Sequence, residues 1–148
     1  MRLGICLRNI DETLRAFHID TERDDAGEIA FTNNLNEMRR LTGATTVSIL
    51  PAKVAGMGVW IVSRGDARET DAQTVDNVKP SALGKGRSIV LRGSIVVVGA
   101  ETDGDDELLR SLTDDELDRV KDRLALVDIG KGQNRYNAYV LCDVEIED

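Results

Sequence analysis

The chain has 148 residues and a formal net charge of −8, with 27 acidic against 19 basic side chains. That length suits one domain with a core large enough to fold unaided, and the acidic surplus argues against duplex binding, whose affinity comes from phosphates neutralised by Lys and Arg. No apolar run approaches the roughly 20 residues that span a bilayer, and at 3 % aromatic content the core must be built from aliphatic side chains.

Met1 to Arg8 is too short and too soon charged for a secretory signal, so the cytoplasm is the expected compartment. Cys6 and Cys142 lie at opposite ends of the chain amid apolar residues and are expected as buried thiols. Arg2 to Arg8 and Leu14 to Thr21 read as two strands joined by the polar turn Asn9-Ile10-Asp11-Glu12, with Thr21 to Glu28 a charged connection. Asn34 is a helix N-cap whose amide partner Glu37 stands three residues on. Leu35, Met38 and Leu41 give that helix an apolar stripe, and Gly43 stops it.

Thr45 to Leu50 is a β-branched strand expected to end at Pro51. Val59 to Val62 is another, after the flexible Gly56-Met57-Gly58. Asp66 to Asp76 has no apolar period and reads as a loop. Ser88 to Leu91 and Ser94 to Val98 are apolar stretches interrupted by Arg92-Gly93, where a bulge or turn bends the strand. Asp103-Gly104-Asp105-Asp106-Glu107 is expected as a solvated acidic loop, because it lacks the alternation of a calcium loop.

Thr113-Asp114-Asp115-Glu116 is a capping box flanked by the staple Leu112 and Leu117. Asp114 and Asp115 suit the positive end of that helix dipole, and Leu117, Val120 and Leu124 form its inward face. Ala125 to Ile129 and Tyr136 to Ile146 close the chain as a hairpin, with Cys142, Val144 and Ile146 alternating against Asp143, Glu145 and Glu147. The expectation is a single small α+β domain over residues 1–148: mainly antiparallel sheet, two principal helices and a C-terminal β-hairpin.

Enzyme templates fail on their requirements. His18 is the single histidine and lies inside a strand, so it reads as structural. One His and two distant Cys cannot supply a clustered metal site, and no Gly-x-Ser-x-Gly elbow is present. The expectation is no catalytic residue, no metal and no cofactor.

Two Gly-Lys-Gly segments carry more information. Gly84-Lys85-Gly86-Arg87 precedes a strand, and Gly130-Lys131-Gly132-Gln133-Asn134-Arg135-Tyr136 sits inside the hairpin. Neither is a P-loop. Glycines nonetheless let backbone amides approach an anion, with neighbouring bases supplying charge. Asn77 to Ala100 holds Lys79, Lys85, Arg87 and Arg92 and no acid. The candidate ligand set is therefore Lys85, Arg87, Arg92, Lys131, Asn134, Arg135 and Tyr136, with Trp60 as a candidate stacking face, although its apolar neighbours favour core packing. The acidic strip from Glu101 to Asp128 is the alternative surface, either a solubilising exterior or a mimic of DNA phosphates.

The run Asn34 to Gly43, then Thr46-Val47-Ser48-Ile49-Leu50-Pro51, Val59-Trp60-Ile61-Val62, Asn77 to Leu83, Ile89 to Gly99 and Ser111 to Leu117 resembles a family of small phage, prophage and mobile-element proteins catalogued only as a domain of unknown function. The likeness spans about residues 1–124 and leaves 125–148 as a hairpin extension. This chain departs from the family's pattern in the long Asp66–Asp76 loop and in the spacing of Asn77 from Pro80. The resemblance implies a viral protein acting inside a bacterial cell and brings no catalytic residues with it.

Together these readings lead to a non-catalytic counter-defence binding protein. The favoured form is a sponge sequestering a nucleotide-derived immune signal; the alternative is an acidic inhibitor or DNA mimic that blocks a host defence protein. A homo-oligomer is expected from exposed strand edges, and neither nucleic acid nor membrane is an expected partner.

Overall fold

The computed structural model describes residues 10–23, 25–64, 89–90, 93–103, 106–129, 133 and 136–146. The expected strand at Arg2–Arg8, Cys6 and the loop at Asp66–Asp76 lie outside them. The described residues form a small α+β domain of antiparallel strands, two helices and a C-terminal hairpin, as the patterning predicts. Its elements are β1 (Thr13–Asp20), β2 (Asp25–Thr32), α1 (Leu35–Thr42), β3 (Val47–Val54), β4 (Met57–Arg64), β5 (Ile89–Val90), β6 (Ile95–Asp103), β7 (Asp106–Arg110), α2 (Asp114–Asp122), β8 (Leu124–Ile129), β9 (Tyr136–Leu141) and β10 (Val144–Ile146).

A seven-stranded sheet runs in the order β10-β3-β4-β6-β1-β2, with β7 paired to β6 alongside β1; a three-stranded sheet runs β5-β9-β8. The large sheet is apolar on both faces. Val59 and Ile61 of β4, with Ile95 and Val97 of β6, face Leu117 and Val120 of α2 and Leu141 and Val144 from the C-terminal segment. The alternate residues Trp60, Val62, Val96 and Val98 face Met38 and Leu41 of α1. Period-two alternation inside an unbroken apolar run is what a strand buried on both faces requires. The C-terminal segment thus contributes to the common core: β10 pairs with β3, and Val140, Leu141, Cys142 and Val144 are buried. Cys142 is a free buried thiol.

Both helix starts form as their sequences dictate. The Asn34 side chain accepts the Glu37 amide at 2.8 Å, and Gly43 ends α1 at φ 71°, the left-handed conformation that favours glycine. At α2, Thr113 Oγ1 accepts the Glu116 amide at 3.2 Å while Glu116 Oε1 accepts the Thr113 amide at 2.9 Å. Leu112 and Leu117 are both buried, as a staple demands.

Several expectations are corrected. The expected charged connection Thr21–Glu28 runs from Asp25 into a strand, Asp25–Thr32: eight in-register pairs tie it to β1, and as the edge of the sheet among the described residues it tolerates outward acids. Leu35 is 48 % exposed, so the inward stripe of α1 is Met38 and Leu41 alone, joined by Thr42, whose hydroxyl donates to Met38 O. β3 continues through Pro51 to Val54. Among the described residues β10 pairs with β3 at Ala52, Lys53 and Val54, and Pro51 pairs with Trp60 of β4. The turn after β3 carries positive φ at both Ala55 and Gly56, as a tight two-residue hairpin needs.

The stretch around Arg92-Gly93 is a change of sheet rather than a bend within one strand, since β5 pairs with β9 while β6 enters the large sheet. The acidic segment 103–107 is the end of a β6–β7 hairpin, with Asp103 opposite Asp106. The last alternating run also divides. At Asp143, φ is 56°, and the chain passes from β9 in one sheet to β10 in the other.

Gly99 gives a direct check on the β6–β7 register. A Cβ there would stand 2.8 Å from Arg110 Cγ and 2.9 Å from the Arg110 carbonyl oxygen. Gly99→Ala is expected to cost about 1–3 kcal/mol by forcing the hairpin apart. An unchanged urea midpoint would contradict this pairing.

Candidate functional site

The acidic surface is built on α2. Residues 101–128 contain eleven acidic and four basic side chains, a net −7 within a chain of −8. Leu117 and Val120 anchor the helix to the core, leaving Asp114, Asp115, Asp118 and Asp122 exposed. Positions 114, 118 and 122 follow one another at the i,i+4 spacing of a single helical face. Asp115 pairs with Arg119 at 3.0 Å, whereas Asp118 and Asp122 have no cationic partner among the described residues.

Two ion networks fix this surface to the sheet. Arg110 of β7 forks onto Glu116, with Nη1–Oε1 and Nη2–Oε2 both 2.7 Å, and also donates to the Ser111 and Ala100 carbonyls. The Arg110 guanidinium, helped by the Thr113 amide, pulls the Glu116 carboxyl down to about 2, against the burial that opposes it. Arg15 of β1 grips Glu28 with two bonds, at 2.9 and 3.1 Å, and reaches Asp114 at 2.6 Å. The hydrogen bonds from Arg15 hold Glu28 below the ordinary carboxylate range. These ion pairs tie α2 to β7 and β1, and Asp118 and Asp122 stay exposed on its outer side.

A polar groove of about 620 Å³ lies between β2 and the C-terminal turn of α1. His18 forms part of its floor, with Nε2 2.9 Å from the Leu41 carbonyl. Asp20 closes one end, accepting the backbone amides of Glu22 and Arg23 and lying 3.4 Å from the Ser94 hydroxyl. Glu22, Asp25 and Arg23 stand on the rim. The sequence reading missed this groove because β2 was read as a connection. The alternation of Gly27, Ile29 and Phe31 was the available signal.

Most of the expected ligand set lies outside the described residues: Lys85, Arg87, Arg92, Lys131, Asn134 and Arg135, and the side chain of Tyr136. The described strands do show where their segments attach. β5 begins at Ile89 opposite Leu141, while the link between β8 and β9 opens from Ile129 and Tyr136. Those two ends of β9 are five residue steps, or about 17 Å, apart.

Trp60 is a core residue, as its apolar neighbours favour, and not a stacking face. It is 2 % exposed, packed with Val62 and Val98, and its indole N–H donates to Leu108 O at 3.3 Å. Among the described residues, no group of three or more His, Cys, Asp or Glu is placed to hold a metal ion, and no helix is long and apolar enough to cross a membrane. Comparison with family models, with curated proteins and with solved structures finds no match to this chain.

Proposed function

We propose that this chain is a phage-type counter-defence protein that works by binding, and that its acidic α2 surface docks on a basic, DNA-contacting surface of a host defence protein. The phage provenance rests on the sequence resemblance alone. The observation carrying the mechanism is the concentration of net −7 into residues 101–128, of which the capped, ion-paired α2 holds five acids against two bases, with Asp118 and Asp122 without a cationic partner among the described residues. Fixed charges of one sign steer encounter with a basic surface and need little reorganisation on docking.

The test is competition. The purified chain is added to basic defence enzymes bound to labelled duplex, and the duplex released is followed by fluorescence anisotropy. The wild type should displace duplex, and D114K/D115K/D118K should require at least about tenfold more protein, equivalent to 1.4 kcal/mol. Equal displacement by both, or none by the wild type, overturns the reading.

A second reading keeps the nucleotide sponge, because Asn77–Ala100 holds four bases and no acid. Its signature is different. A sponge returns intact nucleotide after heat denaturation, and Arg87→Ala with Arg135→Ala weakens it while the α2 variant does not.

A further inference from the structure

The sheet face that packs on α1 changes character at the end of that helix. Ala16 of β1 and Ile29 of β2 are register partners and pack into the cluster with Met38 and Leu41. The next pairs on the same face are His18 with Gly27, then Asp20 with Asp25. They floor the groove of about 620 Å³, whose wall is the last turn of α1, Arg40 to Gly43. That volume lies in the range of small-molecule sites. Gly27 keeps the space beside His18 open, since a Cβ built there would meet nothing within 4 Å.

The groups around this space are hydrogen-bond acceptors. A carbonyl only accepts, so the bond to Leu41 O fixes the His18 proton on Nε2. Nδ1 of the neutral ring is then a bare acceptor, unbonded among the described residues. At the end of α1 the Gly43 and Ala44 amides both return to Arg39 O. The Arg40 and Thr42 carbonyls are left without an amide donor among the described residues, at the negative end of the helix dipole. Asp20 is half-buried, its side chain 21 % exposed, and its Oδ1 already takes the Glu22 and Arg23 amides. Its Oδ2 has only the 86 % exposed Arg23 side chain at 3.9 Å, while Arg40 is turned away to Glu37. Past Gly27 the lining becomes apolar, with Ile29 and Leu41.

We infer that this groove binds a primary ammonium carried on an aliphatic chain. The head is received by Asp20, His18 Nδ1 and the carbonyl end of α1, and the chain lies over Gly27 towards Ile29 and Leu41. This site is separate from the α2 surface and stands on its own observations.

The probe is n-hexylammonium, titrated into the full chain at neutral pH by isothermal titration calorimetry. Hexanol and hexanoate present the same chain without the charge or with the opposite one. Hexylammonium should bind saturably, and both controls should bind at least about tenfold more weakly. Asp20→Asn keeps an acceptor for the Glu22 and Arg23 amides and removes the charge. Gly27→Leu fills the groove where the fold leaves space. Each should weaken binding by about tenfold, with a circular-dichroism melt like that of the wild type. D114K/D115K/D118K should bind as the wild type does, which separates this site from the α2 reading. Nα-acetyl-lysine methylamide distinguishes the source: tighter binding than hexylammonium assigns a partner's lysine side chain, weaker binding a free amine. Absence of saturable binding, equal binding of hexanol or hexanoate, or wild-type affinity in Gly27→Leu overturns the inference.

Discussion

Trp60→Ala is expected to remove about 3–5 kcal/mol of folding stability, the range for truncating a large buried aromatic. The ring is 2 % exposed, fills the space between Val62, Val96, Val98 and α1, and satisfies the Leu108 carbonyl of β7. Domains of this size are stable by about 5–15 kcal/mol, so the variant should unfold at markedly lower urea. Trp60→Phe keeps the ring but leaves Leu108 O without its donor, at a cost of about 1–2 kcal/mol. The check is urea denaturation followed by far-UV circular dichroism. A Trp60→Ala protein with wild-type stability would mean that the ring lines a site rather than the core.

Glu116 carries the second large effect. Glu116→Ala removes half of the α2 capping box, worth about 1 kcal/mol, and strips the half-buried Arg110 of its forked partner, worth about 1–3 kcal/mol more. A total of about 2–4 kcal/mol is expected. The pH dependence follows from its carboxyl, which titrates near 2 in the folded chain against 4.5 for the ordinary group. A depressed folded value means stability fully present above the ordinary value and lost as pH falls from about 4.5 towards 2. In urea midpoints measured from pH 7 to pH 2, the wild type should lose stability across that window, and Glu116→Gln should flatten the loss. An unaltered acid profile in Glu116→Gln would remove Glu116 from the account.

Local signals were legible wherever one short motif decided the outcome. Asn34 with Gly43 and Thr113 with Glu116 set the ends of both helices, because capping is chemistry between residues three apart. The continuous runs Val59–Val62 and Ile95–Val98 were readable as strands, and their unbroken apolar character reflects burial on both faces. What escaped was non-local. In Asp25–Thr32 the alternation of Gly27, Ile29 and Phe31 is offset by Asp25 and Glu28, because an edge strand can carry acids, and it does not announce the eight pairs with β1. The same holds for Asp143, where one left-handed residue sends an alternating run into a second sheet. Trp60 between two β-branched residues was ambiguous because only tertiary packing distinguishes a core indole from a pocket wall. The acidic strip was visible as composition, while its presentation on α2, fixed by Arg110 and Arg15, required contacts across 6 to 99 residues of chain.

The most direct test of the proposed binding through the acidic face is native mass spectrometry of the chain expressed in and recovered from a bacterium. The account predicts a protein–protein complex that dissociates as ionic strength rises and is missing for D114K/D115K/D118K. A nucleotide-sized adduct retained by that variant, with no protein partner bound, would contradict it.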